Sequence, residues 1–275
     1  MKATQKLMRH IIFFCLSSFL LLACSSDLIQ SKPTPAFQSR IQGWQDDSST
    51  VSSRGLQSLL EENVVAQLPP LNSKETPVLF VRGSLRADEK GSVLVLEGRF
   101  LHFDVQSNSH VPVKVIVMGS IEGTGRGKKE RLLKGVLGDM KNGLASNIRI
   151  CNGNPKQWIA ALDSPEPDEQ ILALTLLKLH QEKSAVGKVI DMLDDPRSEV
   201  GTAAAETAAV IASQKHADMV IGQAHKGGVE VEARCILVLS RIGGANAIAW
   251  LEMLAVGHQN SQLRELSFNA LKRLK

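Results

Sequence analysis

The chain has 275 residues, 43% of them hydrophobic, and a formal charge of +4. Three of its cations, Lys2, Lys6 and Arg9, fall in an amino-terminal stretch that reads as removed on export, so the mature chain is near +1 (4 − 3). That excludes a general nucleic-acid binder, which is strongly basic on one face, and 4% aromatic content with no Tyr leaves few rings to stack on bases or sugars.

Residues 1–10 carry those three cations and no acid, and residues 11–22 are apolar apart from Ser17 and Ser18. This is the n-region and h-region pattern of a secretory signal, and the apolar run is shorter than the ~20 residues of a spanning helix. Leu21-Leu22-Ala23-Cys24 follows and resembles a bacterial lipobox. The resemblance implies residues 1–23 as the signal peptide, diacylation of Cys24, cleavage before it and acylation of the new amino terminus. Stable anchoring takes two lipid signals, so two or three chains on Cys24 hold the protein on a membrane. Ser25 rather than Asp after the cysteine implies, by likeness to Gram-negative lipoproteins, placement in the outer membrane facing the periplasm.

Residues 24–55 are polar and Ser-rich, with Pro33 and Pro35, and bury too little apolar surface to order themselves. They read as a lipidated cysteine and flexible tether, in which Phe37, Ile41 and Trp44 are either a docking segment or incidental. Residues 56–68 have helical spacing (Leu56, Leu59, Leu60, Val64, Leu68) and stop at Pro69-Pro70. Residues 77–82, 92–105 and 111–121 are strand-like, with short turn-like segments at 87–91 and 106–110 between them, which predicts an antiparallel meander. Residues 128–140 place Leu132, Leu133, Val136, Leu137 and Met140 on one helical face, closing near Gly143. A three-stranded sheet needs a covering layer, and this helix supplies it. The expectation is a small α+β domain over residues 56–150.

Residues 151–275 repeat one helical hairpin four times. Glu169, Val200, Val231 and Leu263 open the second helix of each unit, at steps of 31, 31 and 32 residues. Apolar or small residues recur at relative positions 0, 4, 7, 8 and 11, one face of a 3.6-residue helix. A period of this size built from paired helices predicts a stacked solenoid. The stretches from Ser198 (SEVGTAAAETAA) and from Gln262 (QLRELSFNALKRL) resemble the HEAT-repeat family, although Glu169 stands where Val is usual and Ser267 where Ala is usual. The resemblance covers roughly 120 residues and implies an interaction scaffold more than an activity. The expected fold is thus mainly α, with a HEAT-like α-solenoid preceded by a small antiparallel-sheet domain. Residues 171–179 are apolar almost all round and are expected to be buried against the preceding domain.

Residues 123–129 (GTGRGKK) mimic a phosphate loop, but Glu122 and Lys129 occupy the positions that need Gly and Ser or Thr. Six histidines outside the signal show no HxxxH or HExxH spacing, and there is no His-Glu dipeptide of the kind that holds di-iron in some HEAT-like enzymes. Cys151 and Cys235 read as packing residues. No catalytic residue, cofactor or metal is expected, and the partner is another envelope protein. In HEAT-like stacks the second helices line the concave face, which implies partner contacts through Glu206, Glu232, Arg241, Arg264, Lys272 and Arg273. The competing reading is an envelope enzyme or ligand-binding protein, with its site in residues 56–150 or at their junction with the repeats.

Overall fold

The edge of the sheet begins where the sequence pointed to a tether. The structure is a computed structural model that describes residues 37–46, 51–73, 76–87, 89–123 and 125–274; the signal segment, Cys24 and residues 25–36 and 47–50 of the expected tether lie outside these, and its residues 53–55 belong to a helix. Strand β1, Gln38–Asp46, corrects the tether reading for its own residues. Phe37 is fully buried and meets the Phe100 ring edge-on at 5.1 Å. Ile41 packs against the core, and the Trp44 indole donates to the Val51 carbonyl at 2.8 Å. The 41-to-44 spacing breaks the strand period of two because the register slips between Ile41 and Gly43. One extra residue at such a bulge returns Trp44 to the inner face.

Helix α1, Ser53–Asn63, then carries the chain across the sheet, with the Ser52 hydroxyl capping it by accepting from the Gly55 N–H at 3.1 Å. That crossover is what a parallel pairing requires: β1 runs parallel to β2, Val78–Ala87. Strands β2, β3 (Gly91–Asp104) and β4 (Ser109–Glu122) form the expected antiparallel meander, and the order is β1-β2-β3-β4. The sheet is therefore four-stranded and mixed. Leu79, Val81, Leu94, Leu96, Phe100, Val111, Val113 and Val115 alternate onto its buried inner face.

Helix α2, Arg126–Cys151, covers that face and does not stop at Gly143. A Cβ at Gly143 would lie 2.9 Å from Val115 Cγ1, so the glycine marks close approach of helix to strand rather than a terminus. The same helix buries Leu132, Leu133, Val136, Leu137, Met140, Leu144 and Ile148. Just past its last turn, Asn152 Nδ2 donates to the Pro70 carbonyl at 2.9 Å and ties the helix end to the segment before β2.

The array follows as α3 (Pro155–Ala161) and α4 (Pro167–Leu179), α5 (Val186–Asp191) and α6 (Ser198–Ile211), α7 (Ala217–Ala224) and α8 (Val229–Ile242), α9 (Ala245–Gly257) and α10 (Ser261–Leu274). The second helices begin at 167, 198, 229 and 261, which reproduces the sequence steps, and each packs on the next. Ten helices lie among the described residues, most of them after the sheet. Helix α4 is buried through Leu172, Ala173, Leu174, Leu176 and Leu177 and touches α2, α3, α6 and β4. Most of its apolar surface thus has partners, while Ile171, Thr175 and Lys178 stay half-buried, and the described residues cluster as one compact unit from 37 onward.

Polar contacts knit successive first helices. Lys188 Nζ donates to Asp163 at 2.5 Å, Gln223 Nε2 to Asp191 at 2.9 Å, and Asn246 Nδ2 to Asp218 at 2.7 Å.

Gly143→Leu is expected to lower stability by about 1–3 kcal/mol, the usual cost of overpacking. Gly138→Ala on the same helix, where a Cβ meets nothing within 4 Å, should raise it by about 0.5–1 kcal/mol. Urea unfolding of both variants checks the sign of each.

Candidate functional site

Two regions gather chemistry-bearing side chains. The first is the surface of the second helices. Between α4 and α6 lies a cleft of about 370 Å³ lined by Thr175, Lys178, Glu199, Thr202 and Glu206, among others. Across it Lys178 Nζ donates to Glu206 Oε2 at 2.9 Å, an exposed pair of the kind that contributes at most about 1 kcal/mol.

The six expected contact residues do not form one stripe. Glu206, Arg241, Lys272 and Arg273 are exposed, and Lys272 Nζ sits 4.4 Å above the Phe268 ring. Glu232 and Arg264 open their helices and are engaged within the chain. Glu232 Oε2 lies 3.0 Å from His258 Nε2, with both side chains about one-fifth exposed. Arg264 Nη1 donates to the carbonyls of His258 at 2.6 Å and Gln259 at 3.0 Å. Residue Arg234, which the sequence reading passed over, is 8% exposed. Its guanidinium donates to the carbonyls of Leu193 at 2.8 Å, Asp195 at 3.0 Å and Ser198 at 3.4 Å. It lies where a Cβ on Gly201 would come within 2.1 Å, so the absence of a side chain at Gly201 is what admits the arginine.

The second region is the junction between β3 and α4. Asp104 ends β3, and its Oδ2 lies 2.8 Å from Nε2 of His180, the residue that closes α4. The two groups are close without forming a directed hydrogen bond. Trp158 of α3 lies against the other side of His180, ring centroids 4.6 Å apart, and donates its indole N–H to the Ile150 carbonyl at 2.8 Å. Burial pushes the Asp104 carboxyl up. The Ser107 hydroxyl, the His180 ring and the N–H groups of Ser107 and Gln106 outweigh it and hold the carboxyl below the usual range. His102, buried on the same strand, has its pKa lowered by burial despite the Asp104 charge, and its Nδ1 has no partner. Burial pushes the Cys151 thiol up to about 12, with Asp104 adding to it. Cys235 is raised to about 12 for the same reason, aided by Glu232. Neither thiol is a nucleophile at neutral pH. Sequence spacing could not show this junction, because Asp104, Cys151 and His180 come from three separate elements.

Among the described residues, no group of three or more His, Cys, Asp or Glu side chains is placed to hold a metal ion. The cleft linings do not include Asp104, Cys151 or His180. No family model matches the chain, and no curated protein or solved structure matches it either.

The Asp104 pKa is lower in the folded chain than in the unfolded one. Its contribution is therefore present above the ordinary carboxyl value near 4 and is lost as pH falls through the depressed folded value. Asp104→Asn is expected to cost about 1–3 kcal/mol at neutral pH, since the Ser107 hydroxyl and the N–H groups of Ser107 and Gln106 lose a charged acceptor. The gap between variant and parent should narrow below about pH 4, as read by urea unfolding across pH.

Proposed function

We propose that the protein is a lipid-anchored scaffold of the bacterial cell envelope, whose HEAT-like solenoid holds another envelope protein. The observation that carries this reading is the stepped stack of second helices at 167, 198, 229 and 261. Such a stack is an extended surface of quasi-repeated side chains, the form that repeat proteins use for binding. The α4–α6 cleft and the exposed charges Glu206, Arg241, Lys272 and Arg273 lie on it. Charges that change sign along such a surface fix a partner's register more than they add affinity. Glu232 and Arg264 belong to the same proposal with a supporting role, holding the turns beside the surface.

The anchor is Cys24, acylated after loss of residues 1–23, with the outer membrane as destination and the periplasm as the side faced. Its support is the succession of cations, apolar run and Leu-Leu-Ala-Cys. The described residues add that no helix among them is long and apolar enough to cross a membrane. The protein acts by binding rather than by catalysis and carries no cofactor.

Two measurements test the reading. Mass spectrometry of the mature protein should show an acyl increment at its amino terminus that Cys24→Ala abolishes; an unmodified mass would overturn the anchoring. Glu206→Arg with Arg241→Glu should leave the unfolding free energy within about 1 kcal/mol of the parent. Recovery of the partner from solubilised envelopes should drop, most at low salt. Undiminished recovery at both salt levels would move the partner off this surface.

A further inference from the structure

The face of the sheet turned away from α2 carries no helix among the described residues. The strand registers place its side chains in rows across the four strands. One row is Arg40–Phe80–Arg99–Lys114, with no acid in it. The next is Gly43–Arg82–Glu97–Ile116, and a third is Gln45–Ser84–Val95–Met118. Arg86, Val93 and Ser120 follow, towards the β2–β3 turn.

The face is apolar and cationic together. Met118 is 72% exposed, Leu101 57%, and Ile116 and Val93 lie between 40% and 50%. Glu97 is its central acid, and Arg82 and Arg99 both hold it as an ion pair. Burial raises the Glu97 pKa, but the two guanidiniums bring it below the ordinary value, so the acid is neutralised locally and does not offset Arg40; Glu122 lies at the Arg86 end of the face. Across the edge of β4, Asp168 faces Lys114 and accepts the Ile116 N–H. A cleft of about 540 Å³ opens on the face between Gly43, Ser84, Arg82 and Val95.

We propose that this face docks on the surface of an anionic phospholipid bilayer. Apolar side chains ringed by Arg and Lys suit the headgroup boundary, where the former sink and the latter meet phosphates. Each cation near an anionic surface strengthens binding about fivefold. A second copy of the chain fits badly, because a two-fold pairing would set Arg40, Arg99 and Lys114 against themselves. Reach also favours the bilayer. Only twelve residues, Ser25–Ala36, separate Cys24 from Phe37, and they span at most about 47 Å however they are arranged. The inference rests on the lipid-anchor reading for that last point alone. Docking by the sheet would hold the protein in one orientation on the membrane. The α4–α6 cleft shares no residue with the face and stays open to a partner.

The test uses the mature chain, residues 24–275, with Cys24→Ser so that no acyl chain contributes. It should sediment with vesicles of equal parts phosphatidylglycerol and phosphatidylcholine, not with phosphatidylcholine alone, and release as salt rises. Arg40→Ala with Arg86→Ala, neither of which pairs with Glu97, should weaken binding roughly 25-fold. Ser84→Glu with Ser120→Glu keeps every cation and should also weaken it. An unchanged melting temperature shows that each variant remains folded. No sedimentation with the anionic vesicles, equal binding to neutral ones, or undiminished binding of both variants overturns the proposal. So does a dimer in solution abolished by Met118→Asp, which assigns the face to a second copy. Failure here leaves an acyl mass on Cys24 intact, and absence of that mass leaves vesicle binding intact, so the two readings fall separately.

Discussion

The approach of α2 to the sheet sets the geometry of everything after it. A helix of 26 residues extends about 39 Å at 1.5 Å per residue, and its middle rests on Val115 at a spacing that only a glycine permits. Held there, its last turn has no freedom of direction, and Ile148, Ile150 and Cys151 are buried as the chain turns into α3. Helix α4 packs on α2 and on β4 as well as on α6. The first unit of the array therefore shares its core with the sheet, and later units inherit their direction from it. Had α2 ended at Gly143, a loop would join sheet and array, and the apolar faces of α4 would lack one of their partners.

Periodic features were readable from sequence because they are written many times. Four copies of one spacing located the second helices to within a few residues, and alternating Val and Leu located β2, β3 and β4. Single-copy features were not readable. Strand β1 has three apolar residues at uneven spacing in a Ser-rich stretch, and its spacing makes sense only with the bulge between Ile41 and Gly43. Its partner in the parallel pair lies beyond α1, so no local turn signal announces it. Gly143 stood for a helix end because glycine has two uses, conformational freedom and small size, and sequence does not say which applies. The candidate contact residues were legible as positions on helices. That Glu232 and Arg264 would be engaged by the His258 turn depends on how successive hairpins nest, which a periodic pattern averages away.

The junction of β3 with α4 has the residue types of a reactive centre and the physics of a fastener. A carboxylate held low, an imidazole 2.8 Å from it and a nearby thiol invite comparison with nucleophilic sites. The thiol is driven to about 12, which removes its reactivity, and the Trp158 ring occupies the space beside His180. What remains is a cross-link between the last residue of a strand and the closing residue of the first long helix of the array.

The two sides of the array differ in how their polar groups are used, and this bears on where the proposed partner would be held. On the side of the first helices, Asp163, Asp191 and Asp218 each accept from the next unit, so the polar groups there are consumed in joining units. Arg234 is consumed in the same way, gripping the turn of the preceding unit from inside. On the side of the second helices, the join is made chiefly by apolar packing, with Thr207 donating to the Leu174 carbonyl at 3.1 Å as a buried addition. Arg241, Lys272 and Arg273 stand outside that packing and are exposed, and Glu206 is held only by its exposed pair with Lys178. A charge already committed within the chain gives little to a partner unless the internal contact is first broken. The second-helix side, where the charges are exposed, is therefore the side on which the proposed recognition would cost least.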